Sequence, residues 1–362
     1  MTDGMGRDGV GRRILIDALA ARYGGTAYAA VQLARHLAMR PEVSTVLVVA
    51  RRESIVERGL ADEQGVRCIA PPPAARMELI RRFAWEALRL PGVVARDDID
   101  VVISMSGMLP RRLRCGMICL LFNPVMYERG TAANLLRRAA VRRTVRHALY
   151  TAAPTRWMAS LASASTRRKC AVVPLGVDHG VFHPAADPGE RILYVADFYA
   201  HKRHDLVLDA WLLLPSPRPT LHLVGRPAVD PHAYARLRDR IERLPDAHSI
   251  VIEHEITLDR LVRAYHAARV FVMASERESF CMPLVESLAC GVPAVARDLS
   301  SLRETGGDGA RYVDGNDPNR WSAAMRRLIE NDHEHKQARE TALRTAAPFS
   351  WYALADALAA HF

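Results

Sequence analysis

The chain has 362 residues, of which 49% are hydrophobic, with 50 Lys+Arg against 40 Asp+Glu and a formal charge of +10. It is too long for one typical domain, fits two of roughly 150–200 residues, and is apolar enough for two cores, which excludes wholesale disorder. The basic surplus is local: residues 76–170 carry 18 Lys+Arg and 6 Asp+Glu, leaving 32 and 34 elsewhere. Lysine is rare. Only Lys169, Lys202 and Lys336 occur, so 47 of the 50 basic residues are Arg. Six cysteines form no Cys-x-x-Cys pair and no zinc spacing. They read as buried free thiols in a reducing, cytoplasmic compartment. The longest apolar run, near Met117–Phe122, is far below the roughly 18–20 residues that span a bilayer. Arg12-Arg13 before Ile14-Leu15-Ile16 imitates a signal peptide, but Asp17 and Arg22 interrupt it, and a first strand is the better reading.

In chain order, the first ten residues are Gly- and Asp-rich and read as a frayed tail. Arg13–Asp17 reads as a buried strand, Gly24-Gly25-Thr26 as a turn, and Ala27–Leu37 as a helix. A strand follows over Thr45–Ala50, then a helix over Glu78–Leu90 that ends before Pro91-Gly92. Val101–Ser104 and Met117–Phe122 are strands, and Asn134–His147 is an Arg-rich helix. After Val173-Pro174-Leu175-Gly176 the alternation restarts. Strands are expected over Arg191–Val195, Leu221–Val224, Ser249–Glu253, Val270–Met273 and Pro293–Ala296. Helices are expected over His204–Leu214, Pro231–Arg243, Leu258–Ala267 and Pro283–Ala289, with further helices from Asn319 to about His361. Repeated βα alternation implies parallel sheets covered by helices, with ligands outside the carboxyl ends of the strands. No short repeat or low-complexity segment is present. The fold class is α/β, as two Rossmann-like doubly wound domains facing a cleft.

The most informative stretch runs from Val270 to Ala296. A strand enters a loop, and Pro283 stands where a helix begins, a position proline favours. The helix start offers unpaired N–H groups and partial positive charge, suited to an anion. Glu278 and Glu286 have seven residues between them and could bond two separate sets of hydroxyls, as a sugar and a ribose offer. A helix cap with a solvated glutamate is the alternative for this stretch taken alone.

The whole stretch is far more specific. Glu278-Ser279-Phe280-Cys281-Met282-Pro283-Leu284-Val285-Glu286-Ser287-Leu288-Ala289-Cys290-Gly291-Val292-Pro293 resembles the donor-site signature of the retaining family-4 glycosyltransferases of the GT-B fold, also described as glycosyl transferases group 1. Val173–Asp178 with Phe182-His183-Pro184 is similar to that family's inter-domain signature. Ile192–Val195 with His201-Lys202 is similar to its phosphate-binding strand and helix, and Leu223-Val224-Gly225 and Ser300–Glu304 follow in the family's order. Gly24-Gly25-Thr26 resembles its glycine turn, and Phe349-Ser350-Trp351 the start of its last helix. The resemblance is strong over residues 173–352 and thin over 50–170.

It implies an N-terminal acceptor domain over 1–174, a nucleotide-sugar domain over 175–345, and a C-terminal helix, 346–362, packing back on the first domain. Glu278 and Lys202 are the implied catalytic residues: Glu278 bonds donor-sugar hydroxyls, and Lys202 neutralises the leaving diphosphate. A kept lysine in an Arg-biased chain suits the second role, since a compact ammonium acts on phosphate as a point charge; a surface lysine is the plain alternative. Glu286 is implied at the ribose. Ser279, Phe280, Cys281 and Leu284 are implied around the sugar and diphosphate, with Arg203, Gly225, Gly24 and Gly25 completing the donor set. Asn123, after the strand Met117–Phe122, is the acceptor-side candidate, although an amide takes no proton at neutral pH.

Three departures stand out. Ala196-Asp197 replaces the family's Gly-Arg, removing a phosphate cation from its usual place, with His201 or Arg203 as replacements. Ser279 and Cys281 replace the two glycines around Phe280 and narrow the loop. Asn123-Pro124 stands where many relatives carry a His or Asp.

The implied activity is retaining, metal-independent hexosyl transfer from a nucleotide-diphosphate sugar to a glycan or lipid-linked acceptor, in bacterial cell-surface polysaccharide or glycolipid synthesis. No metal site or cofactor is expected. A sugar-nucleotide epimerase of the same fold and a non-catalytic nucleotide-sugar-binding relative are the alternatives. A dinucleotide oxidoreductase lacks its Gly-x-Gly-x-x-Gly. The loop Glu253–Thr257 is the candidate for the nucleotide base. Helix Asn134–His147, with Arg137, Arg138, Arg142, Arg143 and Arg146, is expected to bury Leu135, Leu136, Val141, Val145 and Leu149. Its arginines suit an anionic membrane surface, which implies peripheral attachment at the inner face, or else a solvated helix face. Nucleic acid is disfavoured, since no recognition motif appears.

Overall fold

The structure is a computed structural model and describes residues 11–21, 24–71, 78–109, 112–127 and 132–362. The frayed tail expected over the first ten residues lies outside the described set. The chain divides into two compact units, Met1–Gly176 with Trp351–Phe362, and Val177–Ser350.

The first unit holds a sheet of seven parallel strands: β1 (Arg12–Asp17), β2 (Val43–Val49), β3 (Val66–Ile69), β4 (Val101–Ser104), β5 (Gly116–Leu120), β6 (Tyr150–Ala153) and β7 (Ala171–Val172). The order is β3-β2-β1-β4-β5-β6-β7, all parallel. Chain direction across the sheet reverses between β1 and β4. Strands such as Ile14-Leu15-Ile16 are apolar on both faces because helices cover both. One layer packs Leu15, Leu47, Val49 and Val102 against Leu90 and Val94. Another packs Leu121 against Val141, Val145, Met158 and Ala162. The C-terminal helix Trp351–Ala359 belongs to this unit, with Trp351 buried and its ring edge-on to Tyr28 at 5.9 Å. Beyond it, His361 stacks on Tyr150 at 3.7 Å.

Three local expectations need correction. Gly24 and Gly25 are the first residues of helix Gly24–Ala38, not a separate turn before it, and Gly24 enters that helix with φ of +61°. Pro91-Gly92 does not close a long helix. Helix Glu78–Leu88 ends earlier, and a second helix, Leu90–Arg96, starts with Pro91 in its first turn, where the missing N–H costs nothing. In helix Ala132–His147, Val141 and Val145 are buried as expected, but Leu135 and Leu136 are 64% and 69% exposed, and Leu149, two residues beyond the helix, is 64% exposed. At about 100° per residue, Asn134, Val141, Thr144 and Val145 share one arc and are buried. Leu135, Leu136, Arg142, Arg143 and Arg146 fall on the other arc.

The second unit holds six parallel strands: β8 (Arg191–Val195), β9 (Leu221–Val224), β10 (Ile250–Glu253), β11 (Ala268–Met273), β12 (Ala294–Arg297) and β13 (Ala310–Val313). Their order is β10-β9-β8-β11-β12-β13, so direction reverses between β8 and β11. Tyr194, Trp211, Phe271 and Trp321 are among its fully buried side chains. Two of these donate indole N–H groups, Trp211 to Pro219 O at 2.8 Å and Trp321 to Gly315 O at 3.2 Å. That satisfies the polar atom each carries into the core.

Candidate active site

In an open parallel sheet the crevice lies at the carboxyl ends of the two strands where direction reverses. In the second unit those are β8 and β11, and the loops after them carry Lys202 and Glu278. Lys202 Nζ donates to Glu278 Oε1 at 2.6 Å, with both side chains mostly buried. Two further links join the same loops. Glu276 N–H donates to His201 O at 2.8 Å, and Arg203 Nη1 donates to Glu276 Oε1 at 2.6 Å. The helix after β12, Ser300–Gly306, also supports Glu278, with Ser301 Oγ donating to Glu278 O at 2.9 Å. The site is therefore a cross-braced set of loop ends rather than one flexible loop.

The local sequence explains the bracing. Tyr199 and Ala200–Lys202 form a short turn, and Arg203 takes a left-handed conformation with φ of +56° before helix His204–Leu212. That turn keeps Arg203 beside Asp205 and Glu276. Burial works against the Lys202 ammonium, but the Glu278 carboxylate prevails and holds its pKa above the ordinary lysine value. His201 is shifted the other way, by burial and then by the Lys202 charge. It therefore supplies a neutral ring at neutral pH, not a second cation. His204, in the core with Nε2 3.2 Å from Ala196 O, is pushed down to about 4 by burial.

The remaining expected donor residues occupy two layers. Ser279 is half-buried beside Glu278. Phe280 is buried and meets Phe349 edge-on at 5.5 Å. Leu284 is fully buried, 3.1 Å from where a Cβ on Gly306 would stand, so its side chain is core rather than a pocket wall. Cys281 caps helix Met282–Ala289 with φ of +70°, in the left-handed region that its usual glycine favours. Its thiol is raised far above the ordinary value by burial and by Glu278, which keeps it a protonated, unreactive packing group. Valine at 281 is expected to cost about 2–3 kcal/mol of stability, because a β-branched residue resists φ above zero, whereas glycine should stay within about 1 kcal/mol of wild type. Thermal unfolding of both variants checks this. Equal melting temperatures would contradict it.

Glu286 lies one turn into the helix and is buried. It accepts a hydrogen bond from Tyr265 Oη at 2.8 Å. Burial raises it to about 7, against the lowering effect of that bond. Tyr265 carries no sequence signal beyond a helical position, so its part is visible only in the structure. Gly225, just after β9, lies so close to the residue after β8 that a Cβ would stand 2.0 Å from Ala196 O, so only glycine fits. Glu253, at the start of the loop expected to meet the base, accepts from Arg260 Nε at 3.0 Å and lies 3.1 Å from His222 Nε2.

Three expected residues belong to the first unit. Gly24 and Gly25 are exposed at a helix start, and Asn123 is exposed three residues beyond β5. The reversal point of that sheet brings an unread group into view. Asp17 ends β1 in register with Ser104 at the end of β4, and burial raises its pKa to about 6 against the Arg82 charge. Glu86, with Oε1 3.0 Å from Arg82 Nε, is raised to about 9 by burial and by Asp17. A carboxylate closing an apolar strand was the available sequence signal. Among the described residues, no cluster of three or more His, Cys, Asp or Glu could hold a metal ion.

Two doubly wound parallel sheets, each with a reversal point, form the GT-B fold. Residues 182–345 match the family model described as glycosyl transferases group 1, and residues 23–181 match that described as glycosyltransferase family 4. The chain belongs to the family-4 glycosyltransferases. Among curated relatives, the D-inositol 3-phosphate glycosyltransferase of Thermobispora bispora is 30% identical over 208 residues, 52% of this chain and 49% of the relative. That of Acidothermus cellulolyticus is 31% identical over 182 residues, 44% of this chain and 40% of the relative. The matches thus span about half the length of these relatives or less. Among solved structures, sucrose-phosphate synthase from Thermosynechococcus elongatus aligns with a TM-score of 0.81 at 17% identity, covering 96% of this chain and 98% of that one. Anabaena HepE, solved with UDP and glucose, aligns with a TM-score of 0.80 at 16% identity over 96% and 98%. At such identities the structural likeness speaks for the fold.

Proposed function

We propose that this glycosyltransferase moves a hexose, with retention and without a metal ion, from a nucleotide-diphosphate sugar to a glycan or lipid-linked acceptor. The observation that carries this reading is the Lys202–Glu278 pair at the β8/β11 reversal point. Lys202 supplies the positive charge that a departing diphosphate needs, and Glu278 supplies a fixed acceptor for sugar hydroxyls. The N–H groups opening helix Met282–Ala289 add partial positive charge beside them. Glu286, held by Tyr265, meets the ribose. Ser279, Phe280 and Cys281 shape the sugar pocket, and Leu284 contributes through its backbone. Asn123 positions the acceptor. The chain itself needs no cofactor. Released nucleotide from a panel of sugar donors tests the activity, and the anomer of the product by NMR tests retention. Epimerised donor without release would favour an epimerase, and binding without either a non-catalytic relative.

The acceptor half bears on location. Among the described residues no helix is long and apolar enough to cross a membrane. Helix Ala132–His147 instead presents two exposed leucines and exposed Arg142, Arg143 and Arg146 on one arc, which fits the headgroup region of an anionic bilayer. This arc supports peripheral attachment to lipid rather than nucleic acid, at the cytoplasmic face for an enzyme of polysaccharide or glycolipid synthesis. Binding to anionic liposomes should fall with salt, and Leu135→Ser/Leu136→Ser should weaken it about tenfold or more. Equal binding to neutral and anionic liposomes would contradict this.

A further inference from the structure

A sugar donor's diphosphate carries more negative charge than one lysine balances, and Lys202 already faces the Glu278 carboxylate at 2.6 Å. Arg203, the nearest guanidinium in sequence, is held between Asp205 at 3.0 Å and Glu276 at 2.6 Å. Just beyond β8 a charge of the wrong sign appears, because Asp197 stands in the loop that leads to Lys202. Its field reaches that ammonium, whose pKa it helps to raise. Left alone, such a carboxylate would repel a phosphate approaching Lys202.

The neighbouring strand answers it. Gly225 lets β9 close on Ala196, where any Cβ would stand 2.0 Å from the carbonyl oxygen. The next residue, Arg226, then folds over Asp197. Its backbone N–H donates to Asp197 Oδ1 at 3.1 Å, its Nε to the same oxygen at 3.0 Å, and its Nη2 to Oδ2. Both side chains are 22% exposed, so the pair is neither deep core nor open surface. Its place is the carboxyl end of the sheet, one strand from the reversal point. A guanidinium fork that fits a carboxylate also fits a phosphate.

We propose that Arg226 is a diphosphate-binding residue of the donor site, delivered from β9 and held in place by Asp197, so that the cation missing from the end of β8 is supplied from the adjacent strand. Asp197 is then a positioning residue. The inference rests on the donor-site reading above and extends it to a residue which that reading did not include.

Binding of UDP, GDP and ADP to the full chain, and of the matching nucleosides, is measured by calorimetry and ligand-observed NMR. The expected result is that wild type binds at least one diphosphate and that Arg226→Ala weakens it about ten- to a hundredfold, while the nucleoside binds as before. In Asp197→Ala/Arg226→Ala the loss persists. Arg226→Gln, which keeps a hydrogen bond to Asp197, is read the same way if alanine at 226 does not fold. Unchanged diphosphate affinity, an equal loss for nucleoside, or recovery in the double variant overturns the inference; recovery would mean that Arg226 only cancels Asp197. Failure of wild type to bind any nucleoside diphosphate overturns instead the donor-site reading itself.

Discussion

Lys202→Ala should lower kcat/KM by about 10²–10³-fold, the usual consequence of deleting a preorganised group that meets charge developing in the transition state. The loss should fall mainly on kcat, because the charge it balances grows as the diphosphate leaves. It should also reduce stability. Glu278 is held near Lys202 and mostly buried, so removing the ammonium strands a carboxylate in a poor solvent. Glu278→Gln/Lys202→Ala should recover part of that stability without recovering activity. This separates the two roles: stability answers to pairing, and turnover answers to the cation. Lys202→Arg is not a conservative control, since a larger planar group replaces a compact point charge in a mostly buried position. Steady-state kinetics and thermal unfolding of the three variants check the set. Wild-type turnover in Lys202→Ala would contradict the assigned role.

Glu286→Gln should remove a pH dependence of stability that wild type shows. The carboxyl titrates at about 7 in the folded chain against an ordinary 4.5. Between those values the folded state holds a proton that the unfolded state has lost, so stability falls as pH rises through the window. The full difference is roughly 3 kcal/mol in favour of the acid end. Glutamine keeps an oxygen for Tyr265 and cannot ionise. The melting temperature of Glu286→Gln should therefore decline less than that of wild type between about pH 4.5 and 7. Parallel profiles would contradict the burial argument. The same variant should raise the donor KM about tenfold if the carboxylate meets the ribose, since it loses a charged acceptor. A donor hydroxyl pair would favour the ionised form, so donor binding should tighten as pH rises through 7.

The sheets were legible because buried parallel strands read as short apolar runs. Val101–Ser104, Arg191–Val195 and Leu221–Val224 are strands at the bounds expected. Strands with weak apolar patterns were not seen. β6, Tyr-Thr-Ala-Ala, lacks large β-branched residues, and β13 interleaves Arg311 and Tyr312 with its apolar positions. The two-residue β7 carries too little pattern to read. The buried face of helix Ala132–His147 is not legible from hydrophobicity alone. Thr144, which donates to Leu109 O at 3.1 Å, occupies the buried arc that Leu135 and Leu136 do not reach. At the site, Lys202 and Glu278 were legible from a motif, although 76 residues separate them. The Asp197–Arg226 pair was half legible: the odd aspartate was evident, but its partner lies on another strand, 29 residues away. Arg82 and Glu86 are an i,i+4 pair on one helix, but only the tertiary fold brings them to Asp17, and no spacing rule announces that meeting.

The most direct test of the central assignment is nucleotide release from a panel of nucleotide-diphosphate sugars, with glycan and lipid-linked acceptors, by wild type and by Lys202→Ala. Acceptor-dependent release from at least one donor by wild type, reduced about 10²–10³-fold in the variant, is the predicted result. Absence of release from every donor, or equal release by both proteins, would contradict it.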